Sequence, residues 1–218
     1  MKGELFNRIV TSIILLPILF YTTIYSGTYL ILLLLLFFLL SMYEIIKNTK
    51  NLLFILLSGI LLMFSFYSFY FLRGETKYSL IILFWILAST FLSDMGGYIF
   101  GKIFKGKKLT KISPKKTYSG AFGSIALACS SLPLINLLQS YFLNEILINF
   151  LELNFLTITI LISLVCQLGD IGVSFLKRKI NIKNTSNILP GHGGIIDRID
   201  GLIFVLIFCF LLKWFELI

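Results

Sequence analysis

Charge is scarce in this chain. Only 13% of its 218 residues are Asp, Glu, Lys or Arg, where an ordinary soluble domain carries about 25%. Acid is the scarcer sign, with 10 residues against 19 Lys and Arg. The apolar residues, 58% of the chain, come in long blocks such as Tyr29 to Tyr43, where the only polar residue is Ser41. Such blocks exclude a disordered chain, and they exclude an ordinary soluble enzyme, whose apolar residues form short amphipathic runs. Cysteine is nearly absent too. Cys129, Cys166 and Cys209 stand singly within apolar segments and form no C-x-x-C. A secreted disulfide scaffold is thereby excluded, and each thiol is expected to be a small buried hydrophobe. No internal repeat stands out, and no heptad pattern separates from the general apolarity.

What remains is a polytopic, all-α membrane protein. A bilayer core about 30 Å thick needs about 20 apolar residues per helical crossing. Stretches at 9–26, 28–46, 52–72, 79–101, 119–139, 155–176 and 196–215 qualify, which makes about seven crossings. The segment Tyr141 to Asn154 holds Glu145 and Glu152 and reads as interfacial. The first stretch follows Lys2 and Arg8, but it is long for a signal-peptide core and no A-x-A site follows, so a retained helix is expected.

Seven crossings sort the formal charge of +9. With the N-terminus inside, sixteen of the nineteen basic residues fall on the cytoplasmic side, and only Arg73, Lys77 and Lys213 fall outside. The positive-inside rule then gives a cytoplasmic N-terminus. On a soluble chain the surplus would suggest nucleic acid. Here no nucleic acid is expected; the partner is the bilayer, with its anionic headgroups.

An ionisable residue within a span costs about 2.5–3.5 kcal/mol, so each needs a reason. Asp94 lies well inside the fourth stretch, Asp170 near the inner end of the sixth, and Asp197 and Asp200 open the seventh. Glu44 and Glu216 lie near helix ends, where snorkelling suffices. Asp170, Ser174 and Lys177 fall at i, i+4 and i+7 on one helical face; Asp197 and Asp200 fall at i, i+3. The last two also suit a helix N-terminus, so simple capping stays open for them. Asp94 could equally be a carboxylate satisfied by a neighbouring Ser or Lys.

The loops hold the opposite chemistry. Residues 102–118 carry seven lysines and no acid. The other loop ends in Pro190-Gly191-His192-Gly193-Gly194, whose glycines allow close backbone approach, with amides able to hold phosphate oxygens. Acids beside lysines at one membrane face suggest a metal–polyphosphate site. The run Gly96 to Lys102 reads like a phosphate loop but lacks the following Ser/Thr and a preceding strand, so that reading is set aside.

At these residues the sequence resembles a known family. Ser174-Phe175-Leu176-Lys177-Arg178, Lys183, Pro190-Gly191-His192-Gly193-Gly194 and Asp197-Arg198-Ile199-Asp200 resemble the signature of the phosphatidate cytidylyltransferases, or CDP-diacylglycerol synthases. Asp94-x-Gly-Gly-Tyr, Gly101-Lys102, Lys111-Ile-Ser-Pro-Lys-Lys-Thr and Arg8-Ile9-Val10-Thr11 look like its other blocks. Specific motifs cover about the last 130 residues.

The resemblance implies that CTP and phosphatidic acid give CDP-diacylglycerol and pyrophosphate with Mg²⁺, in phospholipid biosynthesis at the cell (inner) membrane. It implies N-terminal transmembrane helices over 1–78 and a catalytic transmembrane region over 79–218, with the site in cytoplasmic loops. Asp170 and Asp197 would hold the metal, with Asp94 and Asp200 close behind. Lys177, Arg178, Lys183 and Arg198 would clamp phosphates. Lys111, Ser113, Lys115, Lys116 and Thr117 would help form the nucleotide or lipid phosphate site, with Ser174, His192, Gly193 and Gly194 around it. A homodimer is left open as a partner.

Two positions depart from the family pattern. Ser119 stands where it usually has Glu, and Asn184 where it usually has Asp. An ion-coupled transporter, with its aspartates as ion sites, is one rival reading. A homologue that binds lipid or nucleotide without turnover is another.

Overall fold

In lipid every backbone N–H and C=O must find its partner inside the chain, so long apolar runs become helices. The computed structural model describes residues 2–218 except 111, 112, 114, 115, 183, 187 and 189–192, and gives only the backbone for 2–9 and 12. Among the described residues there are eight helices: α1 Lys2–Tyr25, α2 Gly27–Asn48, α3 Leu52–Arg73, α4 Lys77–Phe104, α5 Tyr118–Cys129, α6 Ser131–Leu143, α7 Leu153–Lys179 and α8 Ile196–Trp214. Five stretches are long and apolar enough to cross a membrane: α2, α3, α4, the continuous run Tyr118–Leu143, and α7. The described apolar part of α1, Ile13–Tyr25, is shorter. The 19 residues of α8 include Asp197, Arg198, Asp200 and Lys213. The chain is an all-helical, multi-pass bundle.

The stretch expected at 119–139 lies within one apolar run long enough to cross, built from two helices, α5 and α6. Pro133 has no N–H to give the Cys129 carbonyl, and the rod breaks at Ser130, whose hydroxyl turns back to Leu127 O at 2.6 Å. Beyond Leu143 the chain is non-helical until Leu153. The Gln139 and Asn136 side chains hold this turn by accepting from the amides of Leu147, Ile148 and Phe150.

Two kinds of contact assemble the bundle. Glycines let α4 and α5 touch backbone to backbone. A Cβ on Gly96 would lie 2.2 Å from the Gly123 carbonyl, and one on Gly123 would lie 2.3 Å from Phe100. The glycines that mimicked a phosphate loop are therefore a helix seam. Elsewhere hydroxyls pair across helices: Ser89 with Ser131 and Ser93 with Ser163, both at 2.8 Å, while the Trp85 indole N–H donates to Thr159 Oγ1 at 3.1 Å. Trp85 is fully buried, packed against the rings of Phe150 and Phe155. Outward lie exposed Leu53, Leu57, Ile60 and Met63 on α3, an apolar face that only lipid would suit.

Helix ends gather at two poles. At one, Arg73 closes α3 and donates to the carbonyls of Thr23 and Ile24 at the end of α1. Lys213, near the end of α8, donates to Leu72 O at 3.3 Å. These cations meet helix carbonyls that have no intrahelical partner. At the other pole the ends of α2, α4 and α7 meet the starts of α5 and α8, and every described acid–lysine pair lies there.

Candidate active site

Lysine is brought to acid here by the loop between α4 and α5. After α4, Lys105 and Gly106 take positive φ values of 52° and 104°, which turn the chain back. Lys108 and Thr117 then pair as an antiparallel bridge, with Leu109 N donating to Lys116 O at 2.8 Å and Tyr118 N to Lys107 O at 3.1 Å. Ser113 sits at the tip, where its carbonyl accepts from Lys116 N at 3.0 Å. Thr117 caps α5 by accepting from Gly120 N. With both ends fixed, Lys116 reaches α7 and its ammonium meets Asp170 Oδ2 at 3.0 Å.

The spacing on α7 and α8 does the rest. Asp170 and Lys177 project from one face of α7, with half-buried Ser174 on the turn between them. Lys177 donates to Asp197 Oδ1 at 2.8 Å and lies 3.6 Å from Asp200 Oδ2. Its side chain is 13% exposed. Asp200 stands near Asp170. Asp94, on α4, has Asp170 and Cys166 as neighbours, and donor atoms of the three lie within 4.8 Å of one another. Gly201 makes room for this, since a Cβ there would lie 2.6 Å from both Asp170 Oδ1 and Cys166 Sγ.

The oxygens are not equally committed. Asp197 is engaged at both: Oδ1 by Lys177, Oδ2 by the amides of Thr185 at 2.9 Å and Gly194 at 3.4 Å. Capping and ion pairing thus coexist in one carboxylate. Asp170 Oδ1 is buried, and no described donor meets it. Four carboxylates face two lysines here, and one oxygen of Asp170 has no described donor. Hard oxygen donors with surplus negative charge suit a cation such as Mg²⁺.

The remaining expected residues differ in what they meet. Arg178 is exposed and closes the turn after α7 by donating to Ile182 O at 3.1 Å. Arg198 is exposed in the first turn of α8. Gly193 takes φ +91°, a conformation suited to glycine, and Gly194 abuts Thr185. Lys111, Lys115, Lys183 and His192 lie outside the described residues. Ser119, where the family pattern has Glu, points its hydroxyl at the Lys105 carbonyl and ties α5 to the end of α4. Asn184 is exposed.

Two readings need correction. Cys209 is a buried core residue, but the buried Cys166 thiol donates to Asp94 Oδ1 at 3.3 Å and forms part of the site's wall. Among the described residues Asp94 is thus met by a thiol, not by Ser or Lys. Glu44 does not snorkel. It is 0% exposed and accepts from Thr185 Oγ1 at 2.9 Å, from Ser186 Oγ, and from the amides of Ile195 at 2.8 Å and Ile196 at 3.2 Å. It caps α8 from another helix. Its distance from the motifs hid it, since more than 130 residues separate it from those donors.

Fold and site together define a membrane-embedded protein whose acids and lysines gather at one pole of a helical bundle. Comparison with known proteins narrows that class. Residues 47–215 match the Cytidylyltransferase family, and the chain belongs to it. It is similar to a phosphatidate cytidylyltransferase of Rickettsia conorii, 31% identical over 224 residues, covering 97% of this chain and 92% of that protein. A protein of that name from Bacillus subtilis is 36% identical over 178 residues, covering 80% of this chain and 64% of its own length. Another, from Staphylococcus epidermidis, is 40% identical over 145 residues, covering 65% and 51%.

Proposed function

We propose that this chain transfers a cytidylyl group from CTP to phosphatidic acid, releasing pyrophosphate and leaving CDP-diacylglycerol in the membrane. The observation that carries this reading is the gathering of Asp94, Asp170 and Asp200 with Lys116 and Lys177 in a chain of the Cytidylyltransferase family. Oxygens of the phosphatidic acid phosphate attack the α-phosphorus of CTP, in line with the departing pyrophosphate. That phosphate is already ionised, so positioning and charge neutralisation supply most of the catalysis. Lys116 and Lys177 are the residues to neutralise phosphates, because each already holds an ammonium over the acid cluster. Phosphate oxygens competing for Lys177 would release Asp197 Oδ1. Asp170 and Asp197 would then hold Mg²⁺, with Asp94 and Asp200 beside them. When bound, the ion would supply Lewis-acid polarisation and charge neutralisation at phosphate oxygens.

We also propose about seven crossings, with the acid pole cytoplasmic. The helices run alternately between the two poles, and the basic bias of the loops supports this side. On this reading 1–78 anchors and 79–218 carries the motifs, with Glu44 as the exception. The cell (inner) membrane is the expected location.

The test uses purified protein in detergent with phosphatidic acid, Mg²⁺ and CTP labelled at the α-phosphate. Label should enter lipid, and Asp197→Asn should stop it. A folded protein that moves no label, under conditions where a relative does, would overturn the enzymatic reading.

A further inference from the structure

We infer that Glu44 is a positioning residue for the acid site, acting through Thr185 and the start of α8 on Asp197. The inference rests on the reading above that Asp197 serves the reaction.

A buried carboxylate costs several kcal/mol unless donors replace its water. Among the described residues Glu44 has four such donors, none of them a cation. All lie within 185–196, the segment that leads into Asp197. Each oxygen takes one hydroxyl and one amide. Oε2 takes Thr185 Oγ1 and Ile196 N; Oε1 takes Ser186 Oγ and Ile195 N. Asn48, one turn further along α2, donates to the Glu44 and Thr185 carbonyls and holds the same junction.

The link to Asp197 is direct. Thr185 presents its amide to Asp197 Oδ2 at 2.9 Å, and its hydroxyl lies between Glu44 Oε2 at 2.9 Å and Asp197 Oδ2 at 3.2 Å. A hydroxyl has one proton to give. Whatever Glu44 takes from Thr185, Asp197 does not receive. Gly194 shows how closely this is built, because a Cβ there would lie 1.9 Å from Thr185 Oγ1 and within 3.0 Å of both Glu44 oxygens. An apolar pairing of α2 with α8 would join the helices equally well. It would not orient an amide and a hydroxyl toward a site carboxylate.

The chemistry makes a sharp demand. Glutamine has the same shape, but its NH₂ must face one of the two backbone amides, donor against donor. Glu44→Gln is therefore expected to behave almost as badly as Glu44→Ala. Groups that orient a metal ligand typically change metal affinity or activity by about 10–100-fold. Glu44→Gln should lower kcat by at least about tenfold. It should also raise the Mg²⁺ concentration giving half-maximal rate, with the KM for phosphatidic acid nearly unchanged. Mn²⁺ binding, followed by electron paramagnetic resonance without substrate, should weaken in parallel. Thr185→Val breaks the same link from its other end, so the double variant should be no worse than the worse single one.

A folded Glu44→Gln protein with wild-type kcat, Mg²⁺ dependence and Mn²⁺ binding would overturn the inference. So would a lowered melting temperature with those three unchanged, which marks a merely structural role. If Glu44→Gln does not fold, Thr185→Val decides by the same readouts. If the wild-type protein moves no label, the enzymatic reading fails, and Mn²⁺ binding alone decides the role of Glu44.

Discussion

Asp170 divides its duties between two oxygens, one held by Lys116 and one buried without a described donor. Asp170→Asn would present either an NH₂ to Lys116 or an NH₂ to the neighbouring acids. Transfer of label from CTP should fall by at least about a hundredfold, as expected where an electrostatic group of the site is lost. Circular dichroism should stay helical. Lys177→Ala exposes Asp197 and Asp200 to each other without their shared cation. It should cost both activity and stability, about 3–5 kcal/mol if the pair behaves as a buried one, read from melting in detergent. Cys129→Ala should leave turnover nearly unchanged, whereas Cys166→Leu should impair it by crowding Asp94 and Gly201. The acids and lysines of this cluster were legible because charge in an apolar helix demands a reason. Glu44 was not legible, because a residue near a helix end has a cheap exit to water. Only the structure shows that four donors close that exit.

At the scale of elements, the α4–α5 seam decides how near Asp94 and Lys116 can come to α7. With Gly96 and Gly123 in backbone contact, a larger residue has nowhere to go. Gly123→Leu should separate the helices, lower the melting temperature and reduce turnover together. An overpacked site typically costs about 1–3 kcal/mol, and a melting curve beside the activity assay would show whether the losses track each other. The helices themselves were readable from apolar length. The break at Ser130 was less so, since Pro133 acts on a carbonyl four residues back, within a run that is apolar throughout. The fold of 105–117 could not be read at all: its bridge depends on two positive φ angles that composition does not reveal.

For the whole molecule, two poles of unlike chemistry imply an orientation that can be measured. Single cysteines in place of Lys107 and Lys77, in a background lacking the native three, should label from opposite sides in sealed vesicles. Lys107 should react only from the cytoplasmic face. Labelling of both from one face would contradict the alternating arrangement. The basic residues of the pole away from the acids have a second use that charge counting alone did not reveal, because Arg73 and Lys213 bind the carbonyls of helix ends. The same residue types face acids at one end and backbone at the other. The positive-inside bias gives the side expected for each, but not which partner it finds.

The hydroxyl pairs between α4 and its neighbours bear on a different property, the tightness of the membrane. Ser93 with Ser163, then Ser89 with Ser131 and Trp85 with Thr159, run along α4 from near Asp94 toward the far pole. Each of these hydroxyl and indole groups is met by protein, so none of them needs water along this line. Four carboxylates at one end of this bundle are then expected to leave a proton gradient across the membrane intact.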